Sequence, residues 1–273
     1  MMALMSFGPL VSVDWLAEHL RDPDVRVVDC RWRLREPGAG EQEWQAGHIP
    51  GAAFLDLDSD LSEPPGPGGR HPLPAADRFQ AAARRAGISA SSRVVAYDRD
   101  STGAAARLWW LLRHFGHEQA AVLDGGIAAW SDALEAGEAK VEPGDFTAQA
   151  RSGDIAEADE IAARLGDESL VLLDARAAAR FEGREEPVDT RAGHIPGALN
   201  LPLTEVAPHG IFKPAAGLPD GELVAYCGSG VAACNLVLVA ELAGRDARLY
   251  PGSWSEWSAR ALPGEPPSSA ESG

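Results

Sequence analysis

"QAGHIPGAAFLDL" at residues 45–57 returns as "RAGHIPGALNLPL" at residues 191–203. Each copy sits among matching neighbours. Upstream is an apolar stretch ending in an acid with an arginine two positions on: Val27-Val28-Asp29 with Arg31, and Leu172-Leu173-Asp174 with Arg176. Downstream come "RVVAYD" (93–98) and "ELVAYC" (222–227), then "LDGGIAAW" (123–130) and "YPGSWSEW" (250–257). Four blocks in one order mean two homologous halves. Their long spacing means duplicated domains rather than a solenoid, whose repeats run to about 20–50 residues. Short Val/Leu/Ala runs alternate with helical stretches at 75–86, 104–115 and 156–165. Continuous apolar strands followed by helices predict a parallel sheet covered on both faces. The fold class is therefore α/β: two tandem domains, each a mainly parallel sheet flanked by helices. The expected boundaries are residues 1–135, a linker at 136–150, a second domain at 151–262 and a disordered Pro/Ser/Glu/Gly-rich tail at 263–273.

Bulk properties narrow the function. The 273 residues are enough for two ordinary domains, and 45% hydrophobic with 24% charged residues is usual for a globular chain. With 41 acidic against 24 basic side chains the net charge is −17, which disfavours nucleic acid and anionic membranes as partners. An anion-handling site would need local arginines or backbone amides. Three cysteines, Cys30, Cys227 and Cys234, are too few for a disulfide framework and lack zinc-site spacing, so no metal is expected. Residues 1–7 lack the basic start and long apolar stretch of a leader, and no apolar run approaches roughly 20 residues, so a reducing cytoplasm is the expected compartment.

The halves differ where chemistry would sit. "YCGSGVAAC" (226–234) ends a strand in a thiol and then runs through small residues into an apolar helical stretch. Gly228 and Gly230 permit positive φ, and a tight curl entering a helix turns backbone N–H groups towards its first residue. That arrangement stabilises an anion on the sulfur of Cys227, the candidate nucleophile. The first half has Asp98 at this position, so that domain is expected to be non-catalytic. It is also longer between His48 and Tyr97 than the second half is between His194 and Tyr226. The excess is mostly "DLDSDLSEPPGPGGRHPLP" (56–74), a polar loop carrying Asp58, Arg70 and His71. Long loops of this kind tend to be functional.

Other residues have plainer roles. His48 and His194 occupy matched turns in both halves, which favours backbone bonding over catalysis. Cys234, two helical turns beyond Cys227 with apolar neighbours, is expected to pack the core, although a redox role stays open. Asp29 and Asp174 should cap strand ends and pair with Arg31 and Arg176, and Trp254 and Trp257 should fill the core. A cysteine phosphatase would also place a thiol before an amide-lined loop, but it needs an arginine six positions later, where this chain has Ala233. A non-catalytic persulfide carrier is the other rival, and the intact loop and extra His71 segment weigh against it.

Tandem "GHIPGA" halves, a "CGSGVAA" loop and "PGSWSEW" together resemble the two-domain rhodanese-type sulfurtransferases over about residues 10–262. Gly228 and Ser229 after the cysteine are similar to the mercaptopyruvate branch; thiosulfate enzymes usually have basic residues there. Ala232 stands where the family usually has threonine. The resemblance implies that Cys227 holds a persulfide and that Ser229, His71 and Asp58 form a relay. It implies that Arg180 binds the donor carboxylate and that Gly228, Gly230, Val231, Ala232 and Ala233 line the sulfur cradle. A second family arginine normally sits shortly before "GHIPGA"; in "EEPVDTRAGHIPGA" Arg191 is the arginine available, displaced towards the histidine. The implied reaction moves sulfur from 3-mercaptopyruvate, or alternatively thiosulfate, to a thiol such as thioredoxin or a small dithiol, or to cyanide, with no cofactor.

Overall fold

The computed structural model describes residues 7–99, 103–213 and 217–264. The expectations of a leaderless start and of a disordered tail beyond Gly264 fall outside the described residues. The chain divides into two compact units. The first takes the chain up to Glu63, then Leu73–Arg151 and His209–Phe212; the second takes Pro64–Pro72, Ser152–Pro208 and the chain from Lys213 onward. A piece of the long loop thus belongs to the second unit. Among the described residues, no helix is long and apolar enough to cross a membrane.

In the first unit, strands β1 (Leu10–Val11), β2 (Val25–Asp29), β3 (Ala53–Phe54), β4 (Arg93–Tyr97) and β5 (Ala120–Leu123) form one sheet. Its order is β1-β5-β4-β2-β3 and every pairing is parallel. In the second unit, β6 (Leu170–Asp174), β7 (Leu199–Asn200), β8 (Glu222–Tyr226) and β9 (Ala247–Leu249) are also all parallel, in the order β7-β6-β8-β9. The two orders match strand for strand, and a lone parallel bridge from Ile155 to Leu249 stands where β1 pairs with β5. Parallel strands need long crossovers, and helices supply them. In the first unit these are α1 (Val13–His19), α2 (Ala39–Ala46), α3 (Ala76–Arg85) and α4 (Ala104–His114), and α5 (Gly126–Ala129) follows the last strand. In the second they are α7 (Ala178–Phe181), α8 (Leu203–Val206) and α9 (Ala233–Leu242), with α6 (Ala158–Ala163) before the first strand and α10 (Ser253–Ala259) after the last.

Because helices cover both faces, β4 and β8 bury Val and Ala side chains on each side rather than alternating with polar ones. Trp15, Val27, Val95 and Leu123 lie in one core; Leu172, Val224, Trp254 and Trp257 lie in the other. Each large buried aliphatic or aromatic side chain contributes about 1.5–3 kcal/mol relative to exposure. The expected packing role of both tryptophans is what the core contains.

The repeated Asp-x-Arg is a clasp. Arg31 forks onto the buried Asp29 carboxylate with its shortest contact at 2.6 Å, and Arg31 Nη2 also donates to Gly47 O at 2.7 Å. Tyr97 OH donates to Asp29 Oδ2 at 2.7 Å and accepts from Ile49 N at 3.2 Å. Burial pushes the Asp29 carboxyl up, and the Arg31 guanidinium opposes it. The second unit repeats the device: Arg176 contacts Asp174 at 2.7 Å and donates to Gly193 O at 2.8 Å, while Ile195 N donates to Tyr226 OH at 3.3 Å. The clasp therefore fixes the "GHIPG" turn against the end of β8, one residue before Cys227. Removing one partner of such a buried pair costs about 3–5 kcal/mol, because the other charge stays behind.

The matched histidines bond backbone. His48 Nδ1 is 2.8 Å from Trp44 O, and His194 Nδ1 is 2.8 Å from Phe181 O. The segment expected as a linker runs along the first unit. Gly144 N donates to Arg84 O at 2.8 Å, Phe146 N to Ile88 O at 3.2 Å and Gln149 N to Phe115 O at 3.0 Å, and the Phe146 ring is buried.

Candidate active site

Cys227 follows directly on β8 and is 2% exposed. Its loop is tied into the start of α10 by three bonds. Cys227 N donates to Ser253 Oγ at 3.1 Å, Trp254 N to Cys227 O at 3.0 Å and Ser255 N to Gly228 O at 2.9 Å. Ser253 holds a left-handed φ of 52°, a local strain of about 1–2 kcal/mol at the residue whose hydroxyl fixes the Cys227 amide. The "PGSWSEW" block is thus the floor of the thiol loop as well as core.

Gly230 N donates to Cys227 Sγ at 3.2 Å, a bond that favours negative charge on sulfur. Gly230 has φ +76°, and a Cβ there would lie 2.2 Å from Pro251 O. The second glycine of the curl is therefore required twice over, by its dihedral and by close backbone approach. Gly230→Ala should push the loop off Pro251, costing at least about 1–2 kcal/mol of stability and most of the activity. Thermal melts and turnover on the same sample check this. Gly228, expected to share the positive φ, does not adopt it. Its small size serves another purpose: a Cβ would lie 2.8 Å from Arg70 Nη2 and 3.4 Å from Arg180 Nη1. Val231 and Ala233 are buried around the loop; Ala232, at the cap of α9, is half-buried.

Cys234 is not two turns down a helix, because α9 begins only at Ala233. It is fully buried at the first turn, and its Sγ donates to Gly230 O at 3.3 Å, bracing the loop from below. Cys30 is also buried; burial, and then the neighbouring Asp29 and Asp98 carboxylates, push its thiol well up. All three cysteines are free.

Ser229 Oγ lies 2.8 Å from His71 Nδ1, and both side chains are buried. The hydroxyl donates when Nδ1 is bare and accepts when Nδ1 carries the proton. His71 belongs to Pro64–Pro72, the loop segment of the second unit. That segment is fastened by Arg70 N donating to Ser255 Oγ at 3.1 Å and by a bridge between Gly66 and Gly69. Asp58 lies in the first unit, where its Oδ2 accepts from Trp32 Nε1 at 2.9 Å. Its part in a relay rests on the resemblance.

The arginines expected to bind the donor have partners of their own. Arg180, on α7, donates to Glu186 Oε1 at 2.7 Å and to Asp189 Oδ2 at 2.8 Å. Arg70 Nη1 pairs with the other oxygen of the same carboxylate, Asp189 Oδ1. Two guanidiniums therefore meet at Gly228 and share the nearly buried Asp189 carboxylate, while the nearly buried Glu186 pairs with Arg180. Arg191, the expected second arginine, has other partners. Its Nη2 donates to Leu262 O at 2.7 Å and its guanidinium lies 5.1 Å over the Trp254 ring. Sequence reading did not place Arg70, Glu186 and Asp189 in the site. The available signals were an arginine beside His71 in the extra loop and acids in "EEPVDT", just before the second "GHIPGA".

In the first unit the position of Cys227 holds Asp98, whose Oδ2 accepts from Gly103 N at 3.1 Å and Ala105 N at 3.2 Å. A carboxylate thus sits at the amino terminus of α4.

The model of the rhodanese-like domain matches this chain twice, over residues 12–133 and 157–260. The chain belongs to the rhodanese family. Among rhodanese relatives, a Pseudomonas aeruginosa protein provisionally named a 3-mercaptopyruvate sulfurtransferase is 44% identical, the match covering 93% of this chain and 96% of that one. A Mycobacterium tuberculosis protein provisionally named a thiosulfate sulfurtransferase is 41% identical, covering 87% and 88%. A solved rhodanese structure, the 3-mercaptopyruvate sulfurtransferase from Leishmania major, superposes with a TM-score of 0.81 at 29% identity, covering 94% of this chain and 75% of that one.

Proposed function

We infer that this rhodanese is a sulfurtransferase that takes sulfur from 3-mercaptopyruvate onto Cys227 and passes it to a thiol or to cyanide. The observation that carries the reading is the 2.8 Å contact between His71 Nδ1 and Ser229 Oγ, two residues after the thiol. Cys227 thiolate attacks the donor sulfur. A sulfur–sulfur bond forms, the carbon–sulfur bond breaks, and the electron pair passes to the carbonyl as the enolate of pyruvate. One proton must then reach carbon. Ser229 supplies it and draws on His71, a positioned acid–base pair. Thiosulfate releases sulfite and needs no carbon protonation, so such a pair would be idle with that donor.

The Cys227 persulfide rests against the Gly230 amide until an acceptor thiolate attacks its outer sulfur, regenerating Cys227 in a ping-pong cycle. The proposed acceptors are thioredoxin, a small dithiol or cyanide. In this reading the first unit, with Asp98, is non-catalytic. Thiosulfate is the second reading, supported by the name of the M. tuberculosis relative. A dianion is the harder guest, because the guanidiniums of Arg70 and Arg180 are already balanced by Asp189 and Glu186.

Intact mass after exposure to each donor decides between them. The expected result is one added sulfur from 3-mercaptopyruvate, with pyruvate released in equal amount and a higher kcat/KM than for thiosulfate in direct competition. Preference for thiosulfate would reverse the donor assignment and leave the sulfurtransferase class standing.

A further inference from the structure

We propose that Ser255 is a positioning residue for the proton pair, the residue that holds His71 and Ser229 at bonding distance. This deepens the sulfurtransferase reading and rests on it. All the groups involved belong to the second unit. Ser255 makes one bond on each side of the pair. Its amide donates to Gly228 O at 2.9 Å, one residue before Ser229. Its hydroxyl accepts from Arg70 N at 3.1 Å, one residue before His71. The 2.8 Å contact of His71 Nδ1 with Ser229 Oγ closes the ring. Three hydrogen bonds thus join the His71 loop to the thiol loop through one residue of α10.

The other bond of the Ser255 hydroxyl is local. Its Oγ donates to Gly252 O at 2.9 Å, a back-bond that serines commonly make near helices. With its hydrogen committed there, the oxygen keeps its lone pairs for the Arg70 amide, which arrives from 185 positions away in the chain. The loop is shaped for that approach. Gly66 N donates to Gly69 O and Gly69 N to Gly66 O, each at 3.0 Å, closing a tight turn immediately before Arg70. A Cβ on Gly69 would lie 2.6 Å from Ser255 Oγ and 2.8 Å from Gly252 O, so the missing side chain lets this turn reach α10. Ser229, His71 and Ser255 are all buried. A bonded buried network holds its members rigidly, and misplacing a reacting group by about 1 Å can cost about 10²-fold in rate.

The test separates the two bonds. Ser255→Ala removes the hydroxyl and keeps the amide on Gly228 O, so the thiol loop stays fastened while the His71 segment is released. In the full chain the pyruvate-forming step should slow about tenfold, part of what outright loss of a proton-transfer group costs. Alkylation of Cys227 by iodoacetamide, a neutral probe of the thiol loop, should keep its rate. On a His71→Ala background the same substitution should have no further effect, because residues acting as one unit are not additive. Ser255→Thr, which keeps a hydroxyl, should restore most of the rate. Gly69→Ala strikes the same contact from the loop side and should give the same selective loss, so the question is answered even if Ser255→Ala folds poorly. In protein carrying isotope-labelled histidine and no donor, the His71 signals, identified by their absence from His71→Ala, should shift and broaden in Ser255→Ala. A parallel fall in the alkylation rate, a further fall on the His71→Ala background, or unmoved His71 signals would overturn the proposal. Absence of added sulfur from either donor in the unaltered protein would defeat the sulfurtransferase reading, and the histidine signals would still decide whether Ser255 holds His71.

Discussion

Cys227→Ser takes up no sulfur from either donor, and turnover falls by roughly 10⁴–10⁶-fold, the scale seen when a covalent nucleophile is lost. A serine hydroxyl fits the slot and can receive the Gly230 amide, but it cannot form the sulfur–sulfur bond that carries the transferred atom. Neither remaining cysteine can stand in. Cys30 is buried beside carboxylates that hold its proton on, and Cys234 directs its proton at Gly230 O. Cys30→Ser and Cys234→Ser should therefore keep most activity, the latter because a hydroxyl preserves that bond. Intact mass and steady-state turnover on the three variants test the claim. Sulfur uptake by Cys227→Ser would end the mechanism.

His71→Ala should slow the pyruvate-forming step by about 10²-fold, the usual worth of a positioned proton-transfer group. The loss should be selective. Carbon–sulfur cleavage needs a proton for its enolate, whereas uptake from thiosulfate does not, so single-turnover rates with thiosulfate should stay near those of the unaltered protein. Ser229→Ala should show the same selectivity. The double variant should be little worse than either single one, because residues acting as one unit are not additive. Asp58→Asn tests the third relay member implied by the resemblance: a fall confined to mercaptopyruvate supports it, and unchanged rates remove it. Rapid-quench measurement of pyruvate separates this step from sulfur release. Unchanged pyruvate formation in His71→Ala would eliminate the proton pair from the chemistry.

Much of this was legible before any coordinates. Repetition of "GHIPGA" with its flanking strands was enough for two α/β halves, because apolar runs ending in Asp-x-Arg can be aligned by eye. The same comparison exposed Asp98 opposite Cys227 and the surplus around His71. What stayed hidden was side-chain traffic over long sequence separation. Nothing local in "GGRHP" says that Arg70 will meet Asp189, or that Pro64–Pro72 will group with the second unit. Arg191 shows the complementary limit: proximity to "GHIPGA" in sequence could not reveal that its Nη2 meets Leu262 O and its face the Trp254 ring. Gly228 carried the right residue type for the wrong cause. Its missing Cβ leaves room for arginines rather than freeing φ.

Asp98, resting on the amides of Gly103 and Ala105, shows what the strand-to-helix turn is before it is anything catalytic. It is a socket for negative charge. In one half the plug is welded to the chain, a side-chain carboxylate seated for the life of the protein. In the other, in the reaction proposed for Cys227, the contents are exchanged at every cycle, a sulfur atom that arrives with one molecule and departs with the next. On that proposal, duplication of such a socket frees one copy to be filled permanently, as ballast for the fold, while its twin is left open for cargo.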